Sequence, residues 1–163
     1  MPDPAKAMYG LLMESPIGPL RLESDGERIT ALAFDATGTS SEEMPAVLLE
    51  GKRQLEEYFA GMRREFGLQL ATNGTAFQQR VWEAVKAIPS GSTSSYQRIA
   101  AQIGGNAMAR AVGAANGANP IPIIIPCHRV IGADGKLTGY VGGLWRKQWL
   151  LRHEGALHAD LFE

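Results

Sequence analysis

One nine-residue segment, residues 123–131, constrains this chain more than any other. It contains three isoleucines, Pro126, the only cysteine of the 163 residues, a histidine, an arginine and two further branched aliphatic residues. The aliphatic run predicts a buried, extended segment, and the proline predicts its end. The ionisable pair Cys127 and His128 therefore lies where a buried segment stops. A free cysteine there is either a small core side chain or a nucleophile, and the pair alone leaves both open.

The single cysteine also limits the available chemistry. It excludes an internal disulfide and any zinc site that needs two or more thiolates. The histidines, His128, His153 and His158, are too few and too scattered to predict a metal site, so we expect no metal. A lone thiol suits a reducing compartment. We expect no signal peptide and no membrane span, because no apolar run approaches ~20 residues, and we therefore expect a cytoplasmic protein.

Charge is distributed unevenly along the chain. Residues 1–74 carry 7 Lys and Arg against 12 Asp and Glu, whereas residues 75–163 carry 9 against 5. The basic C-terminal half favours a polyanionic partner, although an imbalance of this size is also common in proteins without one.

The sequence pattern of residues 1–70 predicts a small α/β layer with a structural role. Strands are expected over residues 8–14, 20–24 and 28–34, with a turn at Asp25-Gly26. Ser41 is expected to open a helix with Glu42 and Glu43 in its first turn. The apolar positions of that helix are Val47, Leu48, Leu55, Tyr58 and Phe59. Alternating Phe66, Leu68 and Leu70 suggest one more strand.

Residues 75–163, after a linker at 71–74, predict a mostly helical region. Thr75 is expected to cap a helix that Pro89 and Gly91 stop. A helix over residues 96–103, a Gly104-Gly105 turn and a helix from Asn106 to about Asn116 form a helix-turn-helix pattern. The second of these helices has small side chains and one charge, Arg110, which is either a solvated or ion-paired residue or one presented to DNA. A final helix over 144–153 is expected to turn Trp145, Trp149 and Leu150 inward.

The order of these features resembles the O6-alkylguanine-DNA alkyltransferases. The similarity is carried by Pro126-Cys127-His128-Arg129-Val130, by Asn119-Pro120 before it and by Gly139-Tyr140-Val141-Gly142-Gly143 after it. Residues 77–82, Ser95-Tyr96, residues 109–113 and residues 150–155 also match. The resemblance implies a ribonuclease-H-like α/β layer over 1–70. It also implies a mostly α domain over 75–163, with a winged-helix-like helix-turn-helix that binds DNA and transfers the alkyl group.

The resemblance also implies a chemistry. Cys127 would attack the alkyl carbon on guanine O6, and O4-alkylthymine is an expected second substrate. An unperturbed cysteine is mostly a thiol at neutral pH, so a base is needed, and the family relay assigns this to His128, oriented by Glu154. Tyr96 would serve guanine N3. The alkyl thioether has no ready route to hydrolysis, so one molecule would be consumed per lesion, without a cofactor.

Further roles follow from the same resemblance. Tyr140, Val130, Val141 and Asn116 would form the substrate pocket, where Val141 replaces a serine found in some members and leaves the alkyl-size preference in doubt. Asn119 would brace the cysteine segment. The target base would be flipped out through the minor groove of double-stranded DNA, with Arg110 filling its place. The other expected DNA contacts are Ser95, Tyr96, Gln97, Ala109 and Phe77.

Two other functions compete with this one. The first is a non-catalytic, alkyltransferase-like protein that binds lesions, but such proteins lack the cysteine. The second is a thiol hydrolase built on Cys127 and His128, which would leave the helix-turn-helix and Arg110 without a role. We expect a monomer in solution, with cooperative binding on DNA left open.

Overall fold

The computed structural model describes residues 8–105 and 107–156. It divides into two compact units, Met1–Thr72 and Asn73–Glu163. Their boundary falls inside the segment 71–74 that the sequence suggests as a linker. Within the described ranges, no helix is both long and apolar enough to cross a membrane.

A three-stranded antiparallel sheet forms the first unit, in the order β1 (Tyr9–Met13), β2 (Leu20–Ser24) and β3 (Ile29–Phe34). Leu11 pairs with Leu22, and Met13 pairs with Leu20, so the buried side chains of β1 and β2 share one face. Helix α1 (Ala46–Phe59) buries Leu48, Leu55 and Tyr58. This alternation and the helical spacing follow the sequence pattern closely.

The expected helix start at Ser41 is wrong. Helix α1 begins at Ala46, after Pro45, with no side-chain cap. The Ser41 hydroxyl instead accepts a hydrogen bond from the Gly10 amide at 2.9 Å, and the Ser40 hydroxyl accepts one from Leu12. These serines occupy donors on the outer edge of β1, which would otherwise be open to another strand.

The expected strand at Phe66, Leu68 and Leu70 is also wrong. Only Leu70 forms an isolated bridge, with Ile29. The Ile29 amide donates to the Gln69 carbonyl at 2.8 Å, and the Ala71 amide donates to the Ile29 carbonyl at 2.9 Å. The alternation reflects a segment that touches the β3 edge at one point, without continuing as a ladder.

Three helices that pack on one another begin the second unit: α2 (Ala76–Lys86), α3 (Tyr96–Ile103) and α4 (Ala109–Gly117). Thr75 and Gln78 form a complete capping box on α2, and the Ser95 hydroxyl caps α3. The predicted start of the next helix, Asn106, lies outside the described residues. Helix α4 begins at Ala109 because Met108 still has extended backbone angles after the left-handed Gly104 and Gly105.

The isoleucine run is buried as predicted, but it is not extended. Ile123 has a φ of 73°, and the Ile125 amide donates to the Ile121 carbonyl at 2.9 Å, so the chain turns back on itself. A short 3-10 helix, Cys127–Arg129, follows at once. The next strand, β5 (Val130–Ile131), pairs in parallel with β4 (Ser94–Ser95). Prolines at 120 and 122 remove the amides that a regular strand would need.

Helix α5 (Leu144–His153) closes the described chain. It buries Leu150 and Leu151, but also Arg146 and Lys147. The expected inward orientation of Trp145 is wrong, since that side chain is 53% exposed. The guanidinium of Arg146 lies 4.5 Å from the centre of the Trp145 ring, so the two basic residues occupy the inner face and the indole lies outside.

Candidate active site

Cys127 lies at the first position of the 3-10 helix, against which α2 and α5 pack, and is 2% exposed. Its amide donates to the Ile125 carbonyl at 2.7 Å. The turn formed by residues 121–125 thus fixes the position of the thiol in the core of the second unit.

Two asparagines hold this turn. The Asn119 amide nitrogen donates to the Ile125 carbonyl at 2.7 Å, and its oxygen accepts from the Ile121 amide at 2.9 Å. Asn116 donates to the carbonyl of Cys127 at 3.2 Å. Both side chains are buried. Each therefore supplies a hydrogen bond to backbone groups that have neither water nor a neighbouring strand as a partner. The bracing contact expected of Asn119 is present.

A buried ionic network adjoins the thiol. His128 Nε2 and Glu154 Oε2 are 2.8 Å apart, and both side chains are almost fully shielded. Arg129 donates to both oxygens of the same carboxylate, at 2.8 and 2.9 Å, and to the Ile88 carbonyl at 2.6 Å. Glu154 is the C-cap residue of α5. At this position its carboxylate contacts His128 and Arg129 instead of solvent.

These contacts determine the charge states. Burial by itself raises the pKa of Glu154, but the hydrogen bonds and charges of His128 and Arg129 outweigh it and leave the pKa below its ordinary value. Burial lowers the pKa of His128, opposed by Glu154. An ionised Glu154 can only accept a hydrogen bond, so neutral His128 carries its hydrogen on Nε2 and donates it to the carboxylate. His128 Nδ1, which has no hydrogen-bond partner among the described residues, then presents a lone pair.

The thiol itself is held protonated. Burial raises the pKa of Cys127 to about 11, against opposing contributions from Asn119, Lys147 and the Tyr140 hydroxyl. Lys147 is fully buried, its ammonium donates to the Val130 carbonyl at 2.7 Å, and burial lowers its pKa to about 8. At neutral pH the site therefore holds Cys127 as a thiol and His128 as a neutral imidazole. A thiolate at this place requires proton transfer within the site.

The comparisons with known proteins agree with this geometry. Residues 8–72 match the family model "6-O-methylguanine DNA methyltransferase, ribonuclease-like domain", and residues 76–156 match "6-O-methylguanine DNA methyltransferase, DNA binding domain". This chain belongs to the 6-O-methylguanine DNA methyltransferase family.

Individual relatives support the assignment over nearly the full length. The methylated-DNA–protein-cysteine methyltransferase of Methanosarcina acetivorans is 49% identical, over 91% of this chain and 99% of its own. The crystal structure of the Mycobacterium tuberculosis O6-methylguanine methyltransferase superposes with a TM-score of 0.82 at 48% identity, covering 95% of this chain and 98% of the other. A structure of the M. tuberculosis protein in complex with DNA is similar too, with a TM-score of 0.81, 51% identity, and coverage of 89% and 92%.

In this family member, the predicted DNA contacts do not share one environment. Arg110 and Gln97 are exposed, near the first turns of α4 and α3. Ser95, Tyr96, Phe77 and Ala109 are half-buried, and the Ser95 hydroxyl already accepts the Arg98 amide.

The predicted pocket residues divide in a similar way. Val130 is buried, and its carbonyl already accepts from Lys147, while Val141 is 59% exposed. The Tyr140 hydroxyl is one of the groups that oppose the rise in the Cys127 pKa, and the Tyr140 ring meets that of His128 edge-on. Asn116 is buried against the carbonyl of Cys127. Cys127, His128, Glu154, Asn119, Asn116 and Tyr140 are thus brought together, whereas Val141 lies at the surface.

Three residues of the site were missed from the sequence. Arg129 belongs to the motif without a predicted role of its own, and the sequence analysis predicts no role for Lys147 in the final helix or for Thr138 in its loop. The signal for Arg129 was its place inside an apolar segment. Lys147 falls three residues before Leu150, a buried position of the same helix, and helical spacing alone could have shown that it faces inward.

Proposed function

We propose that this protein repairs DNA directly, by moving the alkyl group of an O6-alkylated guanine to the sulfur of Cys127. The observation that carries the proposal is the buried His128–Glu154 pair next to Cys127, in a chain whose two units both match the methyltransferase family. The 51%-identical DNA complex supports DNA as the partner. We extend the proposal to O4-alkylthymine as a second substrate.

The proton route follows from the charge states. The Cys127 thiol gives its proton to His128 Nδ1, directly or through one water, and the imidazolium that forms is stabilised by Glu154. The thiolate sulfur forms a bond to the alkyl carbon as the carbon–O6 bond breaks. The electron pair passes to the purine, and Tyr96 supplies a hydrogen bond or proton at N3. The products are an alkyl thioether and, once the thiol proton has passed through solvent to purine N1 and Tyr96 has its own proton again, an unmodified guanine.

Two features fit this displacement. Because the resting thiol has a pKa near 11, it stays protonated at neutral pH, and proton transfer to His128 is the step that activates it. The buried ammonium of Lys147 interacts electrostatically with Cys127 and favours its anionic form. No step restores the free thiol, so each molecule acts once. We assign the N-terminal unit a structural role and place the reaction in the C-terminal domain, residues 75–163.

Access to the base requires that it leave the helix. We propose that α4 approaches the minor groove and that Arg110 occupies the space left by the flipped nucleotide, at a cost of a few kcal/mol for unstacking. Arg110 is exposed at the second residue of α4, between the half-buried Ala109 and the exposed Ala111. Their small side chains permit close approach of the helix backbone. We expect a monomer acting in the cytoplasm.

Mass spectrometry tests the transfer. Wild-type protein mixed with duplex DNA containing O6-methylguanine should gain one methylene per molecule, located on the Cys127 peptide. Cys127→Ser should gain none yet bind DNA with similar affinity, since a hydroxyl replaces a thiol of nearly equal size. A wild-type protein that binds the lesion without gaining mass would favour the non-catalytic reading, and continued turnover of substrate would favour a hydrolase.

Arg110 is tested by the form of the substrate. Arg110→Ala should slow transfer from duplex DNA at least tenfold, but leave the reaction with free O6-benzylguanine unchanged, because the free base needs no flipping. Arg110→Lys is the matched control that keeps the positive charge. It should retain DNA affinity but only part of the rate if the planar guanidinium is what fills the stack. Equal loss with both substrates would exclude the flipping role.

A further inference from the structure

The Tyr96 phenol lies against the loop that follows β5. Parallel pairing of Ser94 with Val130 and of Ser95 with Ile131 brings the ends of β4 and β5 side by side. Tyr96 is the next residue after β4, and Gly132 is the next after β5. The first turn of α3 and the start of the loop therefore leave the two-stranded ladder together.

The loop then turns back sharply. The Gly132 amide donates to the Lys136 carbonyl at 2.9 Å, and the Gly135 amide donates to the Gly132 carbonyl at 2.9 Å. A Cβ at Gly132 would lie 2.8 Å from an Asp134 carboxylate oxygen, and Gly135 has a φ of 81°. The positive φ of Gly135 favours glycine there, and the turn returns the chain toward α3 at residue 138.

Thr138 makes the contact that results. Its hydroxyl shares a short hydrogen bond with the Tyr96 phenol, across 42 positions of sequence. Its methyl group is on the Gly132 side, 3.7 Å from where a Cβ on that glycine would be. The threonine is half-buried, and its hydroxyl is held by the Tyr96 phenol.

We propose that Thr138 is a positioning residue for Tyr96: its hydroxyl donates to the phenol oxygen and so directs the phenol proton to the purine as it leaves the alkyl carbon. This inference rests on the proposed function, because it gives Tyr96 its role at the leaving group. A phenol has one proton, and it cannot give that proton to the purine while donating it to Thr138. A threonine hydroxyl can rotate and donate instead, which also stabilises charge that develops on the phenol oxygen.

No atom of Thr138 is consumed in this scheme. The sulfur–carbon bond forms, the carbon–O6 bond breaks, and the thiol proton goes to His128. The Tyr96 proton is shared with or passed to purine N3, and Thr138 keeps its own proton while moving it closer to the phenol oxygen. Removal of the Thr138 hydroxyl should therefore affect departure of the purine, and not the nucleophile.

The main test compares Thr138→Val with Thr138→Ser in the full-length protein. Valine keeps the shape but lacks the hydroxyl, whereas serine keeps the hydroxyl. With saturating O6-methylguanine duplex, we expect Thr138→Val to transfer about five- to tenfold more slowly, the size expected for one hydrogen bond. Thr138→Ser should stay within about twofold of wild type, and DNA affinity should not change in either variant.

A double-mutant cycle and a second electrophile separate positioning from loop damage. In a Tyr96→Phe background, Thr138→Val should have no further effect, because the phenol it orients is gone. Iodomethane serves as a second methyl donor for the same thiol, and its iodide leaves without a proton, so the Thr138→Val and wild-type proteins should react at equal rates at Cys127. Cys127→Ser provides the background for methylation elsewhere.

The outcomes are distinct. A Thr138→Val protein that is as fast as wild type, a Thr138→Ser protein as slow as Thr138→Val, or an equal slowing with iodomethane would each overturn the role of Thr138 alone. If wild type gains no methyl group from DNA, the proposed function fails and this inference fails with it.

Discussion

The best-connected ion pairs of the two units lie in opposite environments. In the N-terminal unit, Arg53 lies at the surface between Glu50 and Glu57 and is 54% exposed. In the C-terminal unit, Arg129 and Glu154 are both almost fully buried. Exposed ion pairs contribute little to stability, whereas loss of one partner of a buried pair is costly because the other charge is left uncompensated. The comparison indicates that ionic contacts of the first unit are incidental to its fold, and that those of the second are part of its architecture and its chemistry.

The largest expected effect comes from the carboxylate at the centre of the buried network. Glu154→Gln should lower the free energy of unfolding of the C-terminal unit by about 3–5 kcal/mol, because Arg129 and His128 lose their common anionic partner. Tryptophan fluorescence in urea measures this directly, since Trp82, Trp145 and Trp149 all lie in that unit. The variant should also transfer alkyl groups more slowly, because neutral glutamine stabilises the imidazolium less well.

Glu57→Gln is the matched control. Glu57 accepts from both Arg53 and Arg63 but remains partly exposed, so we expect no resolvable change in unfolding followed by far-UV circular dichroism. If this exposed carboxylate proved as important as Glu154, the contrast between the units would be lost.

Low pH should destabilise the C-terminal unit through its buried charges. His128 and Glu154 both have folded-state pKa values below their ordinary ones, so the unfolded chain binds more protons than the folded protein. Stability of the C-terminal unit should therefore fall as pH drops below about 6.5, where unfolded histidine titrates, and fall further below about 4.5 as unfolded glutamate titrates. The slope is limited to about 1.4 kcal/mol per pH unit for each proton taken up.

Urea unfolding at pH 7.5, 6, 5 and 4 measures this dependence, with the same tryptophan signal. In Glu154→Gln the part of the slope below about pH 4.5 should shrink, because the titrating carboxyl has been removed. A C-terminal unit whose stability is flat from pH 7.5 to 4 would contradict the assigned charge states.

The contrast between units also explains what the sequence could predict. Local rules were sufficient where local contacts decide: the Thr75 helix cap and the strands within residues 9–24 follow from neighbouring residues. They failed at Ser41 because its hydroxyl bonds an amide 31 residues away. The isoleucine run was correctly taken as buried, but two prolines and the Asn119 side chain turn it back.

The site divides along the same line. The resemblance to the alkyltransferases named Cys127, His128, Glu154 and Asn119, and the geometry brings these four together. Burial of Lys147 was within reach of helical spacing, but its partner, the Val130 carbonyl, is 17 positions away and was not. The hydrogen bond between Tyr96 and Thr138 depends on the parallel pairing of two strands of two residues each. Strands this short leave no pattern in the sequence from which they could be predicted.

The smallest loss that should still be measurable concerns the local support of α2, which packs against the Cys127 turn. In the capping box the Thr75 hydroxyl accepts from the Gln78 amide at 3.1 Å, and the Gln78 side chain accepts from the Thr75 amide at 2.9 Å. Thr75→Ala should lower the free energy of unfolding by about 1 kcal/mol, because the Gln78 amide loses its hydrogen-bond acceptor. Thr75→Ser keeps the hydroxyl and should be nearly neutral. The tryptophan signal measures both variants, because Trp82 lies on α2 itself. A loss in Thr75→Ala as large as that in Glu154→Gln would mean that helix capping, and not the buried charge network, dominates the stability of this unit.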